Sequence, residues 1–252
     1  MKLGLDAHAN LSTPLHRWDP RHKLVALMAL IFSFASVRDL RLLPALLAAS
    51  GALYLASGLP LSFLLSRLRL PGFFLLMIAV ILPFLSGRTV LFHIGSLAVR
   101  EEGCLALLLI AVKFACILTV GTVLFGTTPF LTTVKAMQAL GLPCILADMT
   151  FFSCRYLYEI GDDLKTMQTA MRLRGFRGRR PGSLSALASL AGTLLVRSYE
   201  QSDRVFKAMI LRGYGRPASF RDGFQADFRD WAWSAAVVLA AAGLAAAEML
   251  LR

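Results

Sequence analysis

Charge is scarce in this chain of 252 residues: 17% of its positions are Asp, Glu, Lys or Arg, against 57% that are hydrophobic. A water-soluble domain usually carries about 25% charged residues, so a purely aqueous setting is excluded. Cysteine is sparse too. Cys104, Cys116, Cys144 and Cys154 stand apart without a CxxC pair, which argues against both a disulfide scaffold and a zinc site. There is no GxxxxGK[ST] phosphate loop, and the basic turn around Gly175, Arg177, Gly178, Arg179 and Arg180 lacks the strand that such a loop needs. No HExxH, Ser-His-Asp or paired carboxylates with workable spacing emerge. Residues 1–23 hold Lys2, Asp6, His8, His16, Arg17, Asp19, Arg21, His22 and Lys23 without an apolar core or a small-residue cleavage site. They read as a cytoplasmic tail, not a cleavable signal.

What is abundant is apolar sequence in blocks. Runs occupy Leu24 to Val37, Leu42 to about Leu65, Leu70 to Leu85, Cys104 to Phe125, and Trp231 to Leu251. Most approach the roughly 20 residues that cross a bilayer as a helix; the first is short for a full span and can cross if flanking polar stems snorkel or its helix begins in the polar tail before Leu24. Gly58, Pro60, Pro71 and Pro83 interrupt some of them, which neighbouring helices can tolerate by re-satisfying the backbone. Trp231 and Trp233 open the last run, where indoles sit well at a headgroup boundary. Residues 155–230 differ, with 14 Lys and Arg and 8 Asp and Glu. That stretch belongs in water on at least one face. Its apolar parts, Pro143 to Phe152 and Leu184 to Val196, read as amphipathic helices. The expected fold is all-α: a polytopic membrane protein with about five transmembrane helices. Its regions are a tail at 1–23, about four spans in 24–127, a cytoplasmic or interfacial helical region at 128–230, and a final span at 231–252.

Basic residues set the orientation. Arg17, Arg21 and Lys23 precede the first run, Arg67 and Arg69 follow the second, and the large basic stretch follows the fourth. These fall on one side if every run crosses, and that side is expected to be cytoplasmic. Arg38, Arg41, Arg88 and Arg100 dissent, offset in part by Asp39, Glu101 and Glu102.

The most informative pattern is a repeat. Ala170-Met171-Arg172-Leu173-Arg174-Gly175-Phe176 recurs 38 residues later as Ala208-Met209-Ile210-Leu211-Arg212-Gly213-Tyr214. In both copies a helix-compatible run meets glycine, the residue that most easily takes positive φ at a helix end. Arginine just before the stop complements the helix dipole and still extends its fork outward. Taken alone, the two copies could equally be ordinary C-caps whose arginines face water.

With the repeat in place, the chain resembles the T component, the energy-coupling transmembrane subunit, of energy-coupling factor (ECF) transporters, in the cobalt-transport CbiQ-like branch. The twin Arg174-Gly175 and Arg212-Gly213 endings match that family's paired coupling motifs. The opening Ser12-Thr13-Pro14-Leu15-His16-Arg17-Trp18-Asp19-Pro20-Arg21-His22-Lys23-Leu24 is similar to its N-terminal pattern. The short tail with Asp6 and His8 points to the cobalt branch over the vitamin branch. The resemblance implies a non-catalytic scaffold whose cytoplasmic coupling helices dock into two ABC ATPase subunits. ATP and magnesium belong to those partners, and movement passes to a separate membrane substrate-binding subunit, with a small accessory membrane subunit as a further partner. It assigns the coupling contacts to Ala170, Arg174, Gly175, Phe176, Ala208, Arg212, Gly213 and Tyr214. The setting is a prokaryotic inner membrane, and the cargo is cobalt, with nickel or a vitamin as the alternative.

Other residues invite separate readings. Lys113 lies inside the fourth run, where a charge faces protein or water. Structural pairing is the first reading and contact with a substrate-binding subunit the second. His16 and His22 are six apart with Pro20 between them, which places them off a common helical face and makes interfacial roles more natural than metal ligation. A competing function is an intramembrane lipid-modifying enzyme using Glu159, Asp162 and Asp163. A nucleic-acid module built on Arg172, Arg174, Arg177, Arg179 and Arg180 is a third, disfavoured by the membrane character.

Overall fold

The computed structural model describes residues 13–85, 90–94, 97–176, 183–214 and 227–251. Asp6, His8, Ser12, Arg177, Gly178, Arg179 and Arg180 therefore lie outside the described residues. The helices are α1 (Pro14–Arg17), α2 (Pro20–Ser36), α3 (Leu43–Ser57) behind a 3-10 turn at Leu40–Leu42, α4 (Leu61–Leu85), α5 (Glu101–Gly126), α6 (Phe130–Ala139), α7 (Cys144–Leu173), α8 (Ser183–Leu211) and α9 (Phe228–Leu251). Two strands, β1 (Val90–Ile94) and β2 (Leu97–Arg100), separate α4 from α5. They pair antiparallel, Phe92 opposite Val99 and Ile94 opposite Leu97, with an irregularity between Val90 and Phe92. No strand is expected here from the sequence, because a hairpin this short carries too little alternation to register against the helical runs around it.

The chain forms two compact units, Leu142–Gly223 and Lys2–Gly141 with Phe224–Arg252. In the larger unit, α2 starts where Asp19 Oδ1 accepts the Arg21 amide at 2.9 Å and Pro20 occupies the first turn. Capping carboxylate and pre-set φ are the usual pair for starting a helix. Ala26, Leu27, Leu30 and Phe34 of α2 are almost fully buried and anchor a core shared with Leu46, Cys116, Val120, Val123 and Ala241. At roughly 25 cal/mol per Å² of apolar area removed from water, such burial would dominate a soluble fold. In a bilayer the outer surface is apolar as well, so packing and internal polar bonds decide the arrangement.

Named contacts give the helix directions. His22 stacks against Trp231 at 5.3 Å, Ser33 Oγ donates to the Ala241 carbonyl at 2.8 Å, and the Asp39 amide donates to Glu248 Oε2 at 3.3 Å. Sequence advances along α2 and α9 together, so the two helices are parallel. Lys113 Nζ donates to the Ala35 and Val37 carbonyls at 2.7 and 2.6 Å, whereas Lys23 reaches Thr127 and Thr128. Hence α5 runs antiparallel to α2. Ser50 of α3 meets Cys116 of α5, and Leu59 and Phe63, around the start of α4, lie beside Gly126 at the end of α5. Thus α3 runs with α5 and α4 against it, so direction alternates along α2, α3, α4 and α5.

By length and composition three helices can cross a membrane: Leu40–Ser57, Glu102–Gly126 and Phe228–Leu250. A fourth crossing is available if Leu61–Arg69 and Pro71–Leu82, bent by 59°, act as one span. Proline inside a helix removes a donor and clashes with the preceding turn, which accounts for the bend at Pro71. One expectation changes here. The second apolar run ends at Ser57, where Gly58 takes φ 64°, and its tail joins the third run as α4 with Arg67 and Arg69 inside that helix. The first run, short as expected, is lengthened into the polar tail as a helix of 17 residues that opens with Pro20, Arg21, His22 and Lys23, and by length and composition it is not among the spans.

Candidate functional site

The repeat forms one kind of helix ending, twice. At the end of α7 the Phe176 amide donates to the Met171 carbonyl at 3.1 Å and the Gly175 amide to Arg172 at 3.0 Å. At the end of α8 the Tyr214 amide donates to Met209 at 3.0 Å and the Gly213 amide to Ile210 at 2.9 Å. Nested bonds of this form, closing on a glycine at φ 85° and 83° respectively, are Schellman motifs. The repeat is now physically readable. Methionine and the aromatic occupy the two positions where that motif usually joins apolar side chains, glycine supplies the left-handed residue, and arginine is fixed as the last residue before it. Ala170, Arg174, Gly175, Ala208, Arg212 and Gly213 are all exposed, Phe176 is half-buried, and Tyr214 is exposed.

The local charges sharpen the picture. Asp162 pairs with Lys165 at 2.9 Å, Asp163 with Arg197 at 3.2 Å, Glu200 with Arg204 at 3.9 Å and Asp203 with Lys207 at 2.6 Å. The Lys165 ammonium holds the Asp162 carboxyl below its ordinary range, through a hydrogen bond and charge. Among the described residues, neither Arg174 nor Arg212 has an ion-pair partner. Two of the three acidic groups that an enzyme reading would use are engaged with their own hairpin, Asp162 and Asp163 being paired, while Glu159 is exposed.

The two arginines are not brought together. Tyr214 Oη donates to Asp148 Oδ2 at 2.9 Å, a bond that raises the tyrosine pKa. Asp163 meets Arg197 farther along α7 and earlier in α8, so the helices are antiparallel. Arg212 therefore ends near the start of α7, and Arg174 lies roughly 40 Å away along that helix at about 1.5 Å per residue. Between them, Phe152, Tyr156 and Ile160 of α7 face Ser198, Gln201 and Ser202 of α8 across an open groove of about 380 Å³. Large apolar side chains of the hairpin stay uncovered within its own unit, including Leu157, Leu173, Leu195, Tyr199 and Leu211.

Lys113 is used within the chain, capping the end of α2 through the two carbonyls already described, so no partner is required to satisfy it. His16 Nδ1 lies 2.6 Å from Thr13 Oγ1, and His22 is stacked on Trp231. Among the described residues no three His, Cys, Asp or Glu side chains converge as metal ligands. The sequence reading missed Lys23, counting it only as a topological charge. It is 1% exposed, and its ammonium donates to Leu15 O at 3.0 Å, to Thr127 Oγ1, and to Thr128 Oγ1 at 3.0 Å. Nothing in the local sequence of Lys23 announces partners that lie more than a hundred residues away.

Replacing Gly175 or Gly213 by valine tests the helix endings. A β-branched residue at positive φ costs of order 1–3 kcal/mol, so the last turn should open. Exchange of the Phe176 or Tyr214 amide is expected to accelerate about tenfold or more, measured by hydrogen-exchange mass spectrometry of the full chain. Unchanged exchange would show that the positive φ is not what holds the ending.

Together these features define a polytopic α-helical membrane protein with an antiparallel hairpin whose two helices each end in an arginine with no ion-pair partner among the described residues. Residues 11–220 match the family described as CbiQ, cobalt transport protein. The chain belongs to this CbiQ/EcfT family of transmembrane T components of energy-coupling factor transporters. It is similar to proteins named energy-coupling factor transporter transmembrane protein EcfT from several bacteria. The Limosilactobacillus fermentum protein is 30% identical over 215 residues, covering 79% of each chain. That of Bacillus selenitireducens is 28% identical over 213 residues, again 79% of each, and that of Streptococcus equi is 26% identical over 225 residues, 84% of each. The protein is accordingly a non-catalytic, multi-pass subunit of a prokaryotic inner membrane.

Proposed function

We propose that this chain couples ATP hydrolysis by two ABC ATPase subunits to movement of a separate substrate-binding membrane subunit, in an importer of cobalt ions. The carrying observation is the pair of Schellman endings, each presenting an exposed arginine with no ion-pair partner among the described residues, in a hairpin that holds four ion pairs elsewhere. One arginine would enter a groove on each ATPase, with Ala170 and Ala208 allowing close approach and Gly175 and Gly213 fixing the exit of the chain. Phe176 would seat the first ending. Tyr214 is already tied to Asp148 and would brace the second. The separation of the two endings suits two similar sites on two similar subunits. ATP and magnesium are bound by those partners, and the exposed apolar side chains of α7 and α8 favour a membrane-embedded neighbour.

Five crossings are part of the same proposal. Direction alternates from α2 through α5, and α9 is parallel to α2, as a fifth span must be to a first. At about 1.5 Å per residue α2 reaches roughly 26 Å, close to the thickness of a hydrocarbon core. The N-terminal tail and the α7–α8 region then share the cytoplasmic side, as the basic residues require.

The test is copurification. The tagged chain, solubilised in mild detergent from its native membrane, is expected to retain two ATPase polypeptides and one further membrane protein, with ATP turnover that responds to cobalt. A response to nickel or a vitamin instead would keep the coupling role and change the cargo. Recovery of the folded chain alone, with no ATPase, would sink the coupling reading.

A further inference from the structure

A cavity of about 440 Å³ opens beside the parallel starts of α2 and α9. Its polar end is formed by Arg21, His22 and Trp231, and an apolar trough of Val25, Ala235 and Val238 runs on from there. The indoles of Trp231 and Trp233 are exposed in the first two turns of α9, which marks a headgroup boundary. Only 6% of the α9 window is buried, so the trough opens toward lipid.

The described lining favours an anion: it holds Arg21 and His22 and no Asp or Glu. The three acids at the starts of these helices serve backbone caps: Asp19 Oδ1 accepts the Arg21 amide at 2.9 Å, Asp230 Oδ2 the Asp227 amide at 3.1 Å, and Asp227 Oδ1 the Phe228 amide at 2.9 Å. Asp19 Oδ2 also lies 3.5 Å from Arg21 Nη2, which steers the guanidinium. A planar fork at the wall of a half-apolar groove matches phosphate. From Trp231 to Val238 the trough extends roughly 10 Å along α9, enough for the upper part of an acyl chain.

We propose that this groove binds one anionic phospholipid, its phosphate against Arg21 and His22 beneath Trp231 and an acyl chain along Val25, Ala235 and Val238. The site is independent of the coupling motifs and needs only that α9 face the bilayer.

Of the chain's three tryptophans, Trp18, Trp231 and Trp233, Trp231 lines the groove and reports on it directly. The full chain is reconstituted into vesicles containing either phosphatidylglycerol or phosphatidylcholine brominated on the acyl chain, at equal mole fraction. Quenching by the anionic lipid is expected at about fivefold lower mole fraction than by the zwitterionic one, the preference of one basic side chain near an anionic surface. Arg21→Gln should bring the two lipids to parity. Ala235→Phe, which fills the trough from an exposed position and leaves every cation in place, should do the same and covers the case in which Arg21→Gln fails to fold. Equal quenching by both lipids in the unmodified chain would overturn the proposal. So would an anionic preference that survives Ala235→Phe, or one abolished by inorganic phosphate, since a free-anion site needs no trough.

Discussion

With both Arg174→Ala and Arg212→Ala, substrate-linked ATP turnover by the assembled transporter is expected to fall to background while the chain still inserts and folds. Both side chains are exposed and lack ion-pair partners among the described residues, so truncation removes little from the chain itself. At a partner's groove the loss is different. Truncating one member of a buried charge pair costs about 2–5 kcal/mol, much of it from the partner charge left alone. Even the lower value weakens docking roughly thirtyfold at each site. Each single variant should retain reduced turnover, because the other ending still engages its ATPase. Lysine should rescue poorly, since a point charge cannot reproduce a planar fork. Turnover within a factor of two of the unmodified complex in the double variant would remove these arginines from the mechanism.

Lys23→Met should have the largest effect on stability. The ammonium is the donor for three acceptors from two places in the chain: Leu15 O in α1, and the hydroxyls of Thr127 and Thr128 past the end of α5. Thr127 spends its own hydrogen on the Val123 carbonyl at 2.6 Å, so its lone pairs face the lysine. Methionine fills similar volume but leaves those buried acceptors without a donor. A charged hydrogen bond is worth about 1.5–3 kcal/mol and an orphaned polar atom costs about 1–3 more, for a loss of roughly 3 kcal/mol. The thermal midpoint of the detergent-solubilised chain should drop by about 10 °C. Thr128→Val should cost about a third of that. A midpoint that does not move with Lys23→Met would show that the network is incidental.

What the sequence made legible divides along physical lines. Schellman endings are local, so Ala-Met-x-Leu-Arg-Gly-aromatic announced both arginines and both positive-φ glycines before any contact was known. The start of α2 was local too, in Asp19 and Pro20. Helix partnership was not. In lipid the outward and inward faces are both apolar, and the spacing of Val25, Phe32 or Leu47 does not reveal that they face outward while Leu27, Phe34 and Leu46 face the core. The parallel pairing of α2 with α9 and the union of two apolar runs in α4 therefore had no signature in periodicity. Lys23 was hidden for the opposite reason. A lysine at a membrane boundary ordinarily signals orientation, and only tertiary structure shows one turned inward.

The antiparallel hairpin behaves as two rods tied twice, at Asp163 with Arg197 and again at Asp148 with Tyr214. Arg174 lies roughly 16 Å beyond the first tie, at about 1.5 Å per residue, whereas Arg212 sits just before the second. A rotation of about 10° at the first tie would sweep Arg174 through roughly 3 Å, a displacement comparable to a hydrogen-bond length. Arg212 would stay with the start of α7, so the same angular strain is levered to one tip and clamped at the other.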